Sequence, residues 1–273
     1  MKAKDLREMS SEDLVVKCKE LKEELFNLKF QLSLGQLIMI SVTYFLWIAI
    51  YSSSQEGIMN GFTLKEMLTY VMITLLIGIV TSNDISQEIS FEVRDGSIST
   101  NLIKPINYRL RIIFIGIGNF IFFFLTLFLP GAILISTYAI LNGININLAS
   151  ILIFLISIIL GCLINIYYSY IFGLLSFKFY NIWGISQIAR AIIMLVSGAM
   201  IPLTFFPEIV QKLFNFLPFS SIIYTPAMIY LNKLSYAQIA KSLGLQLIWV
   251  VILMVLSKIM WNKVIDKLTI QGG

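Results

Sequence analysis

IIFIGIGNFIFFFLTLFLPGAILISTYAILNGININLASILIFLISIILGCLINIYYSYIFGLLSF (residues 112–177) is a run of 66 residues without one charged side chain. A single bilayer crossing takes about 20 apolar residues, so the run holds two crossings rather than one. The turn-prone Asn142-Gly143-Ile144-Asn145 divides them. Pro130-Gly131 marks a kink in the first of the two, because proline removes a backbone hydrogen bond, or else a turn that ends a shorter span.

The rest of the chain splits unevenly around this run. Residues 1–37 carry seven basic and seven acidic side chains, whereas residues 38–273 carry 21 charges in 236 positions. Over the whole chain 58% of residues are hydrophobic and 13% charged, and the mean hydropathy is +0.86. A soluble domain has about a quarter of its residues charged. The expected fold is therefore all-α: a polytopic membrane protein with six transmembrane helices and a charged N-terminal cytoplasmic helix.

The six spans are placed at roughly 34–52, 66–83, 112–140, 148–176, 182–203 and 242–260. Before them, Leu14, Cys18, Leu21, Leu25, Leu28 and Leu32 recur at alternating spacings of four and three. That alternation is a helical seam, over about residues 11–33, in need of a partner. Ser10-Ser11-Glu12-Asp13 offers it an N-cap with acid in the first turn. The first apolar run begins near residue 37, behind a charged segment, so no cleavable signal peptide is expected. With the N-terminus inside, eight Lys and Arg after residue 37 fall on the inner side: Arg94, Lys104, Arg109, Arg111, Lys178, Lys258, Lys263 and Lys267. Four fall outside: Lys65, Lys212, Lys233 and Lys241. Both termini are thus expected in the cytoplasm.

Several chemistries are excluded by what is missing. There is no histidine, which removes His-based metal sites, Ser-His-Asp triads and imidazole proton relays. Cys18 and Cys162 lie far apart with no metal-ligand spacing, so neither a disulfide nor a metal site is expected. Leu32-Ser33-Leu34-Gly35-Gln36 looks like the signature peptide of ABC ATPases, but no GxxxxGK[ST] phosphate loop accompanies it. Gly57-Ile58-Met59-Asn60-Gly61 has GxxxG spacing in an outer loop, away from any packed span. No cofactor is expected, and the polypeptide is not read as an enzyme by itself.

Three segments can carry function. The first is the connection from Asn83 to Arg111, with Glu88, Glu92, Arg94, Asp95, Gly96, Lys104 and Pro105. Gly96 permits a tight turn and Pro105 stops a helix before the next span. A short amphipathic helix here would lie on the inner surface, either as an ordinary interfacial helix or as a receiver of force from a cytoplasmic partner. The second is residues 202–226, which hold four of the six prolines: Pro202, Pro207, Pro218 and Pro226. With Phe206 and Phe219 this stretch is apolar yet too broken for a span, and fits a re-entrant helical segment between spans five and six, as a gate or a lid. The third is a set of polar residues inside spans. Arg190, some eight residues into span five, and Gln187 one turn earlier are either a functional pair or a snorkelling anchor. Asn119 and Asn165 are either pathway residues or interhelical hydrogen-bond formers.

Two resemblances emerge from these residues. Arg94-Asp95-Gly96, Leu102-Ile103-Lys104-Pro105, Ser197-Gly198-Ala199-Met200-Ile201-Pro202-Leu203, Phe206-Pro207, Leu217-Pro218-Phe219, Tyr224-Thr225-Pro226 and the closing Gly272-Gly273 resemble the permease subunits of type-2 ABC exporters. The subgroup is the one related to daunorubicin-resistance-like systems, and the likeness covers residues 38–273. It implies a multi-pass protein of the bacterial cytoplasmic membrane, partnered by a second permease subunit, identical or different, and by two ABC ATPase subunits. It further implies that Glu88–Pro105 couples to the ATPase and that Asn119, Asn165, Gln187, Arg190, Pro202, Phe206, Pro207, Pro218 and Phe219 belong to the translocation path or its gate. Residues 1–37 instead resemble the start of the bacterial large-subunit ribosomal protein numbered twenty-nine. That likeness rests on Met1-Lys-Ala-Lys-Asp-Leu-Arg-Glu-Met9, Glu24-Leu-Phe-Asn-Leu-Lys-Phe-Gln-Leu32 and Gly35-Gln-Leu37. It implies contact with ribosomal RNA, although the second helix of that hairpin, with its basic residues, is absent. A gene fusion, a recombination or an assembly error near Leu37, truncating both donors, accounts for the two likenesses. The resulting readings are an exporter permease moving a hydrophobic or amphipathic substrate, a ribosome-tethered protein, and an ATP-independent channel or carrier.

Overall fold

The structure, a computed structural model, describes residues 11–53, 57–144, 147–179 and 181–265. The expected Ser10 cap, Asn145 of the Asn142–Asn145 turn, Lys267 and the closing Gly272-Gly273 lie outside them. The chain divides into two compact units, Met1–Gly57 and Ile58–Gly273.

In the first unit the described element is α1 (Ser11–Ser53), a single helix of 43 residues. At 1.5 Å per residue it is about 65 Å long. The helix expected over 11–33 and the span expected over 34–52 are therefore one element. From Lys29 to Ser53 there is one glycine and no proline, so nothing local stops a helix once it has been nucleated.

The second unit opens with a β-hairpin, β1 (Ile58–Met59) against β2 (Phe62–Thr63), closed by Asn60 and Gly61. Both turn residues have positive φ, 47° and 82°, the backbone that Asn-Gly supplies at least cost. The GxxxG spacing noted above is thus a turn. Thr63 then caps α2 (Leu64–Thr81) with Glu66 in a full capping box, and the chain bends at Ser82–Asp84 into α3 (Ile85–Asp95). Gly96, at φ 78°, joins α3 to α4 (Ser97–Ile103). The segment expected as a connection is therefore a pair of helices around the expected glycine turn.

The long uncharged run forms α5 (Tyr108–Phe123), a π-helical turn (Phe124–Phe128) and α6 (Leu129–Leu141). Together they make one apolar helical path of 34 residues. Pro130 neither ends the span nor sits at a break. Lacking an N–H, it cannot bond the carbonyl one turn back, and the helix widens just before it. After the turn comes α7 (Leu148–Gly173), capped by Asn147 and tightened at its end into a 3-10 turn (Leu174–Phe177).

The later elements depart most from the expected spans. α8 (Trp183–Val196) has 14 residues, about 21 Å, against roughly 30 Å of hydrocarbon. It stops where Gly198 turns left-handed at φ 73° and Pro202 follows, so the helix within the segment expected as span five is by itself shorter than a crossing. Two short helices stand where the re-entrant segment is expected, α9 (Glu208–Phe216) and α10 (Tyr224–Tyr230). α11 (Tyr236–Ile265) closes the fold. Among the described residues four helical stretches are long and apolar enough to cross a membrane: Leu64–Asp95, Tyr108–Leu141, Ala149–Phe177 and Tyr236–Ile265.

The core lies around α7, which packs against α11, α3, α10 and α5. Close approach relies on missing side chains. A Cβ on Gly161 would stand 3.1 Å from the Ile222 Cα and the Ser221 carbonyl, and one on Gly173 would stand 2.8 Å from the Ile89 Cδ1 and 3.1 Å from the Ser86 Cα. By contrast a Cβ on Gly118 of α5 meets nothing within 4 Å. Gly161→Val is expected to cost roughly 1–3 kcal/mol by overpacking, read as a lower midpoint of thermal unfolding in detergent. Gly118→Ala is expected to melt no lower than the parent.

Candidate functional site

The polar residues gather at two ends of the Ile58–Gly273 unit. At one end α3 is amphipathic. Ile85, Ser86, Ile89, Ser90 and Glu92 are buried, while Phe91, Arg94, Asp95 and Gly96 are exposed. The buried face packs into a cluster with Ile98, Tyr108, Ile112, Cys162, Ile166, Tyr170, Leu174 and Trp261. Glu92 is the acidic residue on that face. Its carboxylate accepts a hydrogen bond from the Tyr108 hydroxyl at 2.8 Å and an ion-paired one from the Arg111 guanidinium. Arg111 also lies 5.2 Å from the centre of the Tyr108 ring. Tyr108 in turn stacks on Trp261 of α11, centroids 4.9 Å apart and planes 14° off parallel. One carboxylate thus ties α3 to the start of α5, and one aromatic stack ties that start to α11.

Of the residues expected in this segment, Glu92 is therefore turned into the protein, and Glu88 is half-buried. Arg94, Asp95, Gly96, Lys104 and Pro105 are exposed around the turn. Asp95 stiffens it by accepting from the Ser97 amide at 3.0 Å and hydroxyl at 2.7 Å. Lys104 donates to the Asn101 side chain at 2.8 Å. Beside them Phe91, Ile103 and Ile106 are exposed, Ile103 at 83%. The turn thus sets exposed apolar and charged side chains above a buried, ion-paired base.

The other end is held by Lys233 and by the residues after α8. Lys233, after α10, pairs with Glu66, donates to the Gly61 carbonyl at 2.9 Å and lies 5.3 Å from the Phe62 ring centre. Ser150 bonds Asn232. The turn after α8 is pinned by the Tyr70 hydroxyl to the Gly198 carbonyl at 2.6 Å and by the Tyr224 amide to the Ser197 carbonyl at 3.1 Å. Pro202 and Pro218 are buried, Phe206 and Phe219 half-buried and Pro207 exposed. Phe206 packs edge-on to Phe214 at 5.5 Å and Phe219 edge-on to Tyr168 at 5.1 Å.

The polar span residues separate. Asn165 donates to the Thr81 carbonyl at 2.7 Å, satisfying the end of α2. Asn119 and Gln187 are exposed. Arg190 is exposed and pairs at 3.4 Å with Asp84, itself 87% exposed, at the α2–α3 bend; a pair so open to its surroundings contributes little. The buried polar anchor within the spans is Gln246 of α11. Its amide donates to the Ser157 hydroxyl at 3.0 Å and carbonyl at 3.2 Å, and to the Ser221 carbonyl at 2.7 Å. Sequence reasoning passed over Gln246, though its one signal was legible: a lone glutamine in the uncharged interval between Lys241 and Lys258.

Four long apolar helices among the described residues, packed together with shorter ones, define a multi-pass membrane protein. A family profile described as ABC-2 family transporter protein matches residues 37–272, and the chain belongs to that family, whose members are membrane permeases working with ABC ATPase partners and not themselves catalytic. A second profile, Ribosomal L29 protein, matches residues 4–40. Over 37 residues the chain is 89% identical to the large ribosomal subunit protein uL29 of Fusobacterium nucleatum subsp. nucleatum, covering 14% of this chain and 62% of that protein. The same stretch is 65% identical to uL29 of Caldanaerobacter subterraneus subsp. tengcongensis, covering 56% of it, and 60% identical to uL29 of Natranaerobius thermophilus, covering 57%. The chain thus spans less than two thirds of these curated relatives.

Replacing Glu92 by Ala leaves Arg111 and Tyr108 without their acceptor. Removing one partner of a charged hydrogen bond costs roughly 1.5–3 kcal/mol, and the loss is expected as a lower unfolding midpoint in detergent. Asp95→Ala, at an exposed turn, is expected to change that midpoint far less.

Proposed function

We propose that the chain is the membrane-spanning permease subunit of an ATP-driven ABC exporter, moving a hydrophobic or amphipathic substrate by alternating access in the bacterial cytoplasmic membrane with both termini inside. Residues 38–273 make up the permease part and residues 1–37 a ribosomal-protein-like cytoplasmic helix. Spans one and five, over 34–52 and 182–203, complete six crossings with the four long helices, and α9–α10 form the outer re-entrant segment. The observation that carries the reading is the α3–Gly96–α4 element. Its tip, with Arg94, Asp95, Lys104 and Pro105, receives the ATPase, and Glu92 passes the displacement through Tyr108 and Arg111 to α5. At the opposite end Pro202, Phe206, Pro207, Pro218 and Phe219 form the gate, while Asn119, Asn165, Gln187 and Arg190 line or brace the path. A second permease subunit completes the pathway.

The experiment is co-purification from membranes with a co-expressed ABC ATPase subunit. Arg94→Glu with Ile103→Asp, both at the exposed tip, is expected to lower ATPase recovery at least tenfold while the chain stays in the membrane fraction. Deleting Glu92–Lys104 is expected to abolish it. Undiminished recovery from both variants sinks the docking assignment.

The 89% identity of the first 37 residues to a uL29 protein supports a second reading, a ribosome-tethered protein acting through residues 1–37. A ribosome pull-down at moderate salt separates the two. On the permease reading the chain leaves the large subunit once membranes are removed; retention after that step favours the tether.

A further inference from the structure

Two buried donors at the Glu92 end of the bundle take no part in the contacts described above. Tyr170 of α7 has 0% exposure, and its hydroxyl makes no hydrogen bond. The Arg109 Nη1, in the first turn of α5, is likewise enclosed and unpartnered. The two belong to one place. α5 packs on α7, and Trp261 lies 4.9 Å from the Tyr108 ring and 6.4 Å from the Tyr170 ring, which sets Tyr170 level with the start of α5. Arg109, next to Tyr108 in the chain, is close enough for its charge to act on the Tyr170 hydroxyl.

Both groups lack the same thing. A guanidinium donates and never accepts, and a buried phenol needs an acceptor for its proton. The nearby carboxylates are committed elsewhere: Glu92 takes Tyr108 and Arg111, and Glu88 acts on Arg111. Among the described residues Arg109 enters no ion pair. A buried cation beside a buried hydroxyl donor, with no acceptor left to either, calls for an anion.

We propose that Arg109 and the Tyr170 hydroxyl bind an anionic phosphate group, the chemistry shared by an acidic lipid headgroup and free phosphate. Arg109 and Arg111 are the final charges before the uncharged run that begins at Ile112. That places Arg109 where the surround changes from headgroup to hydrocarbon, the level at which a membrane presents its phosphates. Arg109 is half-buried, so the rest of its side chain reaches the surface. Its planar fork suits two phosphate oxygens. Tyr170 adds a neutral donor from the buried side, and the partial positive charge at the start of α5 adds to the attraction. The proposal rests on the chain residing in a membrane, and neither on ATPase docking nor on which end faces the cytoplasm.

The test takes the full chain, purified in detergent and stripped of lipid. It is titrated with phosphatidylglycerol, with phosphatidylcholine of the same acyl chains, and with sodium phosphate against sodium chloride at equal ionic strength. Bound lipid is counted by native mass spectrometry, and the unfolding midpoint is followed in parallel. Phosphatidylglycerol is expected to bind roughly tenfold more tightly than phosphatidylcholine, whose own choline cation competes with Arg109 for the phosphate. Tyr170→Phe keeps the ring and removes an unpartnered hydroxyl. Without lipid it is expected to melt no lower than the parent, and its affinity for phosphatidylglycerol is expected to fall about tenfold. Arg109→Gln is expected to lose at least as much. Lys263→Gln removes an exposed charge from α11 and is expected to stay within about twofold of the parent. A midpoint raised by sodium phosphate and not by phosphatidylglycerol, and lost in Tyr170→Phe, supports the site with free phosphate as its source. Equal affinity for the two lipids without a phosphate effect, or undiminished anion binding by Tyr170→Phe, overturns the proposal. The Tyr170 result decides even where Arg109→Gln fails to fold, and loss of ATPase co-purification leaves it standing.

Discussion

In an apolar surround each unpaired backbone amide or carbonyl costs several kcal/mol, and the helices of this chain begin and end where that cost is met. α2 starts on the Thr63–Glu66 capping box and ends with its Thr81 carbonyl taken by Asn165 of α7. α7 starts on the Asn147 side chain and closes through a 3-10 turn. The polypeptide passes Pro130 by widening to a π-helical turn, which keeps the helix continuous around a residue with no amide to donate. Where α8 ends, Tyr70 reaches from α2 to take up the Gly198 carbonyl. The caps are thus supplied by neighbouring elements as much as by the helix itself, which is why chain order alone does not place them.

Satisfying the backbone leaves the question of which helices lie together, and α7 answers it with two glycines. Gly161 lets the chain before α10 approach it, and Gly173 lets α3 approach it. One turn before Gly161, Ser157 joins Gln246 and Ser221 in a buried amide–hydroxyl knot that fixes α11 against α7. Small residues and a few hydrogen bonds do this work in lipid because apolar side chains gain little from leaving it for one another. The two ends of the bundle are then free to differ: one carries the Glu92 ion pair under an exposed turn, the other the Lys233–Glu66 pair beside a β-hairpin. Alternating access, as proposed, would move one of these ends against the other.

Much of this was legible in the residues. The 66-residue uncharged run announced membrane helices, Asn142-Gly143 the turn between two of them, and Gly96 a left-handed bend. The heptad spacing announced the helix that became α1. Other things were not legible. Nothing in Glu92 distinguishes it from Glu88 until α3 rolls one face onto α5, and Arg190 reads as a deep charge until α8 proves short and Asp84 comes within 3.4 Å. Gln246 was visible as an isolated amide, but its partners lie 25 and 89 residues away in sequence.

Composition and periodicity determine the medium in which this protein resides and the helical form of its segments, because hydrophobic transfer and backbone hydrogen bonding act residue by residue along the chain. Sequence by itself also determined the family, through the profile match over residues 37–272. Tertiary structure alone decided which charges are anchors and which are surface, and where the helices of the bundle stop. Those outcomes depend on the neighbour each face meets, and in a membrane bundle neighbours are chosen by packing between elements remote in sequence.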